Sequence, residues 1–352
     1  MTAILKLNQQ RLYEQAKALQ SQNDVIVVVK NDAYNFGMER AFTAFFQAGI
    51  KSYATTNLSE AIWLRKQDKE IMILLLDPST EFNLLKNYNI TLTVPNLTFY
   101  NKYKAQLKGI KVQLVYKNLL NRFGFDHSEE MLQVFKENYV DITGVWTHFA
   151  FADDLTEPKY EIEKNSWLTV LNQLKDYIKN LEYVHAQNSA SYTREGLLEG
   201  HTHIRPGATA YGALPYFDKI PTSLPAQTIE VSASVKDIVR LKKGQSAGYS
   251  AAFVAEKDTS IAICDIGYGN GIMKNRAKHD VLINGKLYPI VVLMMSHLMV
   301  EVDEQVNIED TVILYNDQLR LDEFAYKGVG AISEQMASLN RHTFNLIEIP
   351  IN

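Results

Sequence analysis

The sequence predicts a (β/α)8 barrel of the TIM type followed by a mostly-β C-terminal domain, and three observations carry that prediction. Eight short apolar runs, separated by helix-like stretches, follow one another within about two hundred residues, an alternation that favours a closed barrel over an open doubly wound sheet. The first run, Val25 to Val29, is five consecutive β-branched residues with no polar alternation, as expected of a strand buried on both faces. Beyond residue 226 the pattern turns to strands, with Asn284-Gly285 set between apolar runs as a tight-hairpin signal.

In order along the chain, Ala3 to Leu7 is a short extended candidate, and Gln9 to Gln20 spaces Leu12, Ala16 and Leu19 at helical intervals. After Val25 to Val29 come strand candidates at Ser52 to Thr56, Ile71 to Leu76, Ile90 to Val94, Ile110 to Tyr116, Ile142 to His148 and Tyr183 to Ala186, with Thr202 to Ile204 the weakest. Helices are expected between them at Met38 to Gln47, Leu58 to Lys66, Glu81 to Lys86, Leu97 to Leu107, Glu129 to Glu137, Glu161 to Lys179 and Ala190 to Leu198. Ala213 to Ala226, with Pro215, Pro221 and Pro225, breaks the rhythm and reads as a linker. This divides the chain into a barrel over 1–226 and a β domain over 227–352, with residues 1–8 a candidate to associate with the β domain. Expected strands of the second domain are Thr228 to Val239, Ser260 to Asp265, Val281 to Ile283, Lys286 to Met295 and Thr311 to Tyr315.

Composition narrows the function. With 36 basic and 40 acidic residues and a net charge of −4, no basic stripe stands out, which argues against nucleic acid or an acidic membrane as partner. The single cysteine, Cys264, excludes an intramolecular disulfide framework and sits in an apolar run as a small hydrophobe. No signal pattern opens the sequence and no apolar run approaches the ~20 residues that span a bilayer, so a cytoplasmic protein is expected. No metal site is indicated.

In a barrel, chemistry collects on the loops at the carboxyl ends of the strands. Lys30 ends the first strand, Arg122 follows the fifth, His148 ends the sixth, His185, Asn188 and Ser189 follow or end the seventh, and Arg205 ends the eighth. Singly, each has a blander reading: a strand-end lysine snorkels to water, a histidine bonds backbone, an arginine pairs with a loop carboxylate. Their convergence on one mouth points to a site. Burial favours the neutral amine that an imine-forming lysine needs. Ser189, with Gly207-Ala208 after the eighth strand, falls where barrels bind phosphate through a hydroxyl and backbone N–H groups. Phosphate plus a strand-end lysine suggests pyridoxal phosphate held as a Schiff base on Lys30.

The segments Val28 to Tyr34, Trp146 to Phe149, His185 to Ala190, Arg205-Pro206-Gly207 with Tyr211-Gly212, and Ala247 to Ser250 together resemble the alanine racemase family, pyridoxal 5'-phosphate enzymes built as a barrel plus a β domain. The resemblance runs nearly full length. It implies a homodimer with a shared active site that interconverts L- and D-alanine by a two-base mechanism and supplies D-alanine for peptidoglycan. In that reading Lys30 holds the cofactor and is one base, and the partner's Tyr249 is the other. Tyr34, Ser189, Asn188 and the backbone of Gly207 and Ala208 serve the cofactor, with Arg205 at its pyridine nitrogen and His148 between Arg205 and the tyrosine. Arg122 faces the substrate carboxylate, and Met295 and Tyr268 form an inner gate.

Departures from the family pattern are as informative. Asn35-Phe36 stand where Gly-His is usual. Lys117 to Asn121 replaces the usual segment before Arg122, and Val115 occupies the place of a lysine that often positions that arginine. Ser296 replaces an expected aspartate. Glu334 takes the place of a late phosphate-binding tyrosine, which implies either weaker cofactor binding or a local path that turns its carboxylate away. These changes leave open a racemase of serine or other small amino acids, or a low-activity cofactor-binding relative. A basic-amino-acid decarboxylase of related fold is disfavoured by Arg205, because that class sets a carboxylate against the pyridine nitrogen. Single-domain barrel relatives are disfavoured by the β domain.

Overall fold

The computed structural model describes residues 3–216 and 226–352. Strand β1 (Ile4–Asn8) leads into a helix over Gln9–Gln20, capped by the Asn8 carboxamide, which accepts from Arg11 N–H at 3.0 Å. Eight strands then form a parallel sheet: β2 (Asp24–Val28), β3 (Ser52–Thr55), β4 (Met72–Leu75), β5 (Thr91–Val94), β6 (Lys111–Val115), β7 (Asp141–Trp146), β8 (Tyr183–His185) and β9 (His203–Ile204). They pair in chain order, and β9 returns to β2 through Asp24↔His203 and Val25↔Ile204. The last seam, between β8 and β9, is drawn shut by Thr202 N–H on Val184 O and Arg205 N–H on Gln187 O, each 2.8 Å. The predicted barrel is therefore the observed one.

The unbroken β-branched run of β2 is explained by its two faces. Ile26 and Val28 point into the barrel, where they meet Ala54, Leu74, Val115 and Trp146, while Val25, Val27 and Val29 join the larger core beneath the helices. Fully burying such a side chain is worth about 1.5–3 kcal/mol, so neither face tolerates a polar residue. The helix over Met38–Gln47 buries Met38, Ala41, Ala44 and Phe45 on one stripe. Asn57 and Asn96 cap the helices Leu58–Gln67 and Leu97–Leu107.

The linker is only partly in view, since Pro221 and Pro225 lie outside the described residues. Ala213, Leu214 and Tyr216 are buried. The β domain comprises β10 (Ile229–Leu241), β11 (Ser246–Ala247), β12 (Phe253–Val254), β13 (Thr259–Cys264), β14 (Asp280–Ile283), β15 (Lys286–Leu293), β16 (Leu298–Val302), β17 (Thr311–Tyr315) and β18 (Asn345–Ile349). Strand β10 is long enough to serve two partners in turn: its first half pairs with β17 and its second with β13, which closes the sheet on itself. β1 pairs antiparallel with β10, and β18 lies parallel to β1. Asn284 and Gly285, both at positive φ, make the tight turn between β14 and β15. Strands β16 and β18 and the helices Leu321–Tyr326 and Ile332–Ser338 have no counterpart in the sequence-based expectation. Cys264 is buried in β13.

Candidate active site

The chain does not simply leave the barrel at Lys30. Asn31, Asp32, Ala33, Tyr34 and Asn35 all take φ between 53 and 64°, a left-handed turn built without a glycine. Left-handed helical backbone costs an L-residue about 1–2 kcal/mol, so neighbouring groups must hold it. Asp32 N–H donates to Glu60 Oε1 (2.8 Å), Asp32 Oδ1 accepts from Met38 N–H (2.7 Å), and the other carboxylate oxygen pairs with Arg341. Asn35 donates its side-chain amide to the backbone carbonyls of Met336 and Leu339. The turn lets Lys30 and Tyr34 both face a cavity of about 640 Å³ at the carboxyl ends of the strands.

Nine residues singled out from the sequence line that cavity: Lys30, Tyr34, Arg122, His148, Asn188, Ser189, Arg205, Gly207 and Ala208. The Lys30 amine is pushed below the ordinary lysine value, chiefly by burial, then by the charge of Arg122 and, less, of Arg205, against an opposing pull from Asp77. Arg205 is buried, yet no carboxylate touches it. Its guanidinium donates to the ring nitrogens Nδ1 of His185 and of His148 (3.0 Å) and to the carbonyls of Thr147 (2.8 Å) and Ala186. Burial and Arg122 lower its proton affinity to about 9, still cationic at neutral pH.

That bond fixes His148. Guanidinium only donates, so Nδ1 is an acceptor and the neutral ring carries its proton on Nε2. Burial first, then Arg205, Arg122 and Lys30, hold its pKa well below the ordinary value. His185 is not at the mouth, where the sequence places it. It is fully buried, one level down, with Nε2 on Gln113 Oε1 at 2.8 Å, because β8 ends with that side chain pointing into the barrel. It too is held neutral, by burial and then Arg205.

Histidines kept neutral in the fold take up protons on unfolding, so stability is present above about pH 6.5 and is lost as pH falls below it. His148 and His185 together are expected to steepen the loss by about 1.4 kcal/mol per pH unit each. Denaturant titrations between neutral pH and mild acid should show it; a flat profile would contradict the assignment.

Ser189 begins the helix Ser189–Glu195, and its Oγ accepts from the N–H groups of Gly207 (3.0 Å) and Thr209 (3.1 Å). A Cβ on Gly207 would sit 2.5 Å from the Tyr34 hydroxyl oxygen, so a larger residue fits there only if Tyr34 moves. Two backbone donors, a serine hydroxyl and a buried tyrosine hydroxyl thus crowd one point, and this donor set suits a phosphate. The Asn188 side chain lines the cavity but caps the helix, accepting from Ser191 N–H and donating to Phe149 O.

Tyr249, Tyr268 and Met295 lie apart from this cavity. Tyr249 is 80% exposed, Met295 59% and Tyr268 40%, all on the β domain. Tyr268 and Met295 are stitched together by Tyr268 N–H on Met294 O (2.9 Å) and Gly269 N–H on Met295 O (2.8 Å), with Ser296 exposed beside them. Tyr249 starts a short turn in which Ser250 and Ala251 take positive φ.

Among the departures, Val115 packs inside the barrel, and Arg122 lies over the Phe123 ring at 4.9 Å with its guanidinium free of any carboxylate among the described residues. Glu334 turns away from the cavity, its Oε2 accepting from Ala331 N–H at 3.3 Å, while Ile332 and Ser333 line the wall. Glu334→Gln is therefore expected to leave cofactor affinity unchanged in a fluorescence titration, and a marked gain would show that the carboxylate does reach the phosphate.

Gln113 was not picked out from the sequence, and Trp146, named there as part of a family motif, was given no role in the site. The Trp146 ring lies parallel to His185 within 9° and 5.0 Å from the Arg205 guanidinium. Both sit inside apolar strands, where spacing reads them as core. Among the described residues no helix is long and apolar enough to cross a membrane.

Residues 5–215 match the alanine racemase N-terminal domain family and residues 228–344 the alanine racemase C-terminal domain family. The chain is 41% identical to alanine racemase 2 of Staphylococcus aureus strain Mu50, over 97% of this chain and 96% of that one. It is 33% identical to alanine racemase of Carboxydothermus hydrogenoformans, over 87% and 86%. In fold it is similar to alanine racemase from E. faecalis, with a TM-score of 0.85 at 24% identity over 98% of both chains. It is also similar to the Bartonella henselae alanine racemase with covalently bound pyridoxal phosphate, with a TM-score of 0.87 at 22% identity over 99% of this chain and 100% of that one. By sequence over both of its domains, the chain belongs to the alanine racemase family.

Proposed function

We propose that this amino-acid racemase interconverts L-alanine and D-alanine with pyridoxal 5'-phosphate carried on Lys30, in a cytoplasmic homodimer whose partner subunits complete each other's sites, and that its D-alanine feeds peptidoglycan. The observation that carries this reading is the pairing, in one cavity, of a lysine biased toward its neutral form with a phosphate-shaped set of donors. Tyr34, Ser189, Gly207 and Ala208 would hold the phosphate and Arg205 the ring. Bound there, the cofactor supplies an electron-withdrawing conjugated ring that acidifies the Cα–H bond of an amino acid.

The chain's own residues do the rest. Racemisation takes a proton from one face of Cα and returns one to the other, so two bases on opposite sides suit it. Lys30, its amine pushed below the ordinary lysine value chiefly by burial, serves one face. Tyr249 lies outside the cavity that holds Lys30, projects from the β domain 80% exposed, and on this reading serves a partner subunit. A phenol needs help to act as a base at neutral pH. His148 can give it: with Nδ1 occupied by Arg205, its Nε2–H is the donor that stabilises a phenolate, under a guanidinium charge that no carboxylate cancels. Arg122, free of carboxylates among the described residues, takes the substrate carboxylate.

The test is an NMR time course of the purified protein with pyridoxal phosphate and L-alanine in deuterated water, followed by chiral analysis. Loss of the Cα proton signal with appearance of D-alanine is expected. An unchanged spectrum with the cofactor bound would overturn the alanine reading. The loop before Arg122, Lys117 to Asn121, departs from the family pattern, so L-serine belongs in the same series.

A further inference from the structure

Behind Arg205 the barrel holds a second, buried chain of polar groups that the proposed reaction does not use. Arg205 Nη1 donates to His185 Nδ1, and His185 Nε2 meets Gln113 Oε1 at 2.8 Å. His185 and Gln113 are both 0% exposed. We propose that Gln113 is a positioning residue: its carbonyl locks His185 as the neutral Nε2–H tautomer, which presents Arg205 to the cavity as a guanidinium with no counter-charge. This rests on the racemase reading for its consequence, though not for its structural content.

The roles follow from donor and acceptor counting. Guanidinium has no acceptor, so His185 Nδ1 must offer a lone pair, and the ring's one proton must then sit on Nε2. That proton needs an acceptor in a site closed to water. Gln113 turns its oxygen to it and leaves its own amide Nε2 buried without a hydrogen-bond partner. An unpaired buried amide is costly, so the orientation is dictated from the His185 side. The amide is also the neutral choice. A carboxylate at the same place would accept the same proton but set a negative charge two links from Arg205, raising the pKa of nearby histidines and weakening the positive field over the cavity. The charged and titratable groups around His185 are Arg205, His203 and His201, and those around His148 are Arg205, Arg122 and Lys30. No carboxylate is among them.

Two substitutions separate the acceptor from the neutrality. Gln113→Leu removes both the acceptor and the misfit amide. The stranded Nε2–H should turn the His185 ring out of register, lowering kcat by about tenfold with KM little changed. Gln113→Glu keeps the acceptor and adds charge, so the tautomer should persist while the acid limb of the kcat/KM profile moves to higher pH. The direct readout needs no turnover. Nitrogen-15 histidine spectra of the full-length protein, recorded before cofactor is added and assigned against His185→Gln, should show His185 neutral with its proton on Nε2 from about pH 5.5 to 8.5. A charged ring or an Nδ1–H tautomer in the native protein overturns the proposal, whether or not the protein racemises alanine. So does a Gln113→Leu variant that keeps both the native spectrum and the native pH profile. If Gln113→Leu does not fold, the native spectrum and the Gln113→Glu profile still decide.

Discussion

Tyr249→Phe is expected to retain the visible absorption of lysine-bound cofactor while losing about 10²–10⁴ in kcat, the range set by one general base. Lys30→Ala should lose both the absorption and the activity. The stronger test joins the two variants. Each is dead as a homodimer, but a hybrid of one Lys30→Ala and one Tyr249→Phe subunit carries both lesions in one site and none in the other. Random exchange of an equal mixture makes half the dimers hybrids, so about a quarter of native activity should return. This follows because Tyr249 stands exposed on the β domain, outside the cavity that holds Lys30. Failure to recover any activity in a mixture shown to contain hybrid dimers would place both bases in one subunit, against the shared site.

Gly207→Ala is expected to weaken cofactor binding by about 5- to 150-fold, as overpacking of 1–3 kcal/mol converts. The new methyl would meet the Tyr34 oxygen at 2.5 Å. Tyr34 cannot step aside freely, since its ring packs against Tyr211 at 4.9 Å between centroids and its hydroxyl is buried enough to raise its pKa to about 12. Adding Tyr34→Phe removes the clash but also a hydroxyl, so the double variant should regain thermal stability without regaining affinity. Affinity restored to the native level would mean that the hydroxyl does not serve the phosphate.

What the sequence made legible follows from where each residue lies. Lys30, His148 and Arg205 could be found because strand ends are where apolar runs stop, and a polar residue there stands out. Ser189 and Gly207 could be found because hydroxyl and glycine at a helix start have a known use with phosphate. Tyr249, by contrast, has no local signature, and only the likeness of Ala247 to Ser250 to a family motif singled it out. Gln113 was hidden in a strand, and the part Trp146 plays beside Arg205 was not legible from its motif, because in strands pairing partners are set by the closure of the barrel and not by neighbours in sequence. His185 was misplaced by one level because spacing locates a strand's end only to a residue or so, and successive residues face opposite sides. The left-handed turn after Lys30 was not foreseen either: Asn and Asp tolerate that backbone, but Ala33 and Tyr34 accept it only under contacts from Glu60, Arg341 and Asn35's carbonyl partners, all remote in sequence.

The place of β1 bears on how the protein is made. Ile4 pairs with Asn345 on one side and with Ser232 on the other. At about 5–20 residues per second of synthesis, the last of these partners leaves the ribosome tens of seconds after the first strand does. The barrel strands emerge in the order in which they pair, so that unit can assemble as it is translated. Strand β1 cannot, and until β10 arrives it is a sticky apolar ribbon with both edges bare. A nascent chain stalled before residue 229 should therefore hold a folded barrel and a loose leader, and should aggregate or recruit chaperones through Leu5 and Leu7, which the finished protein hides completely.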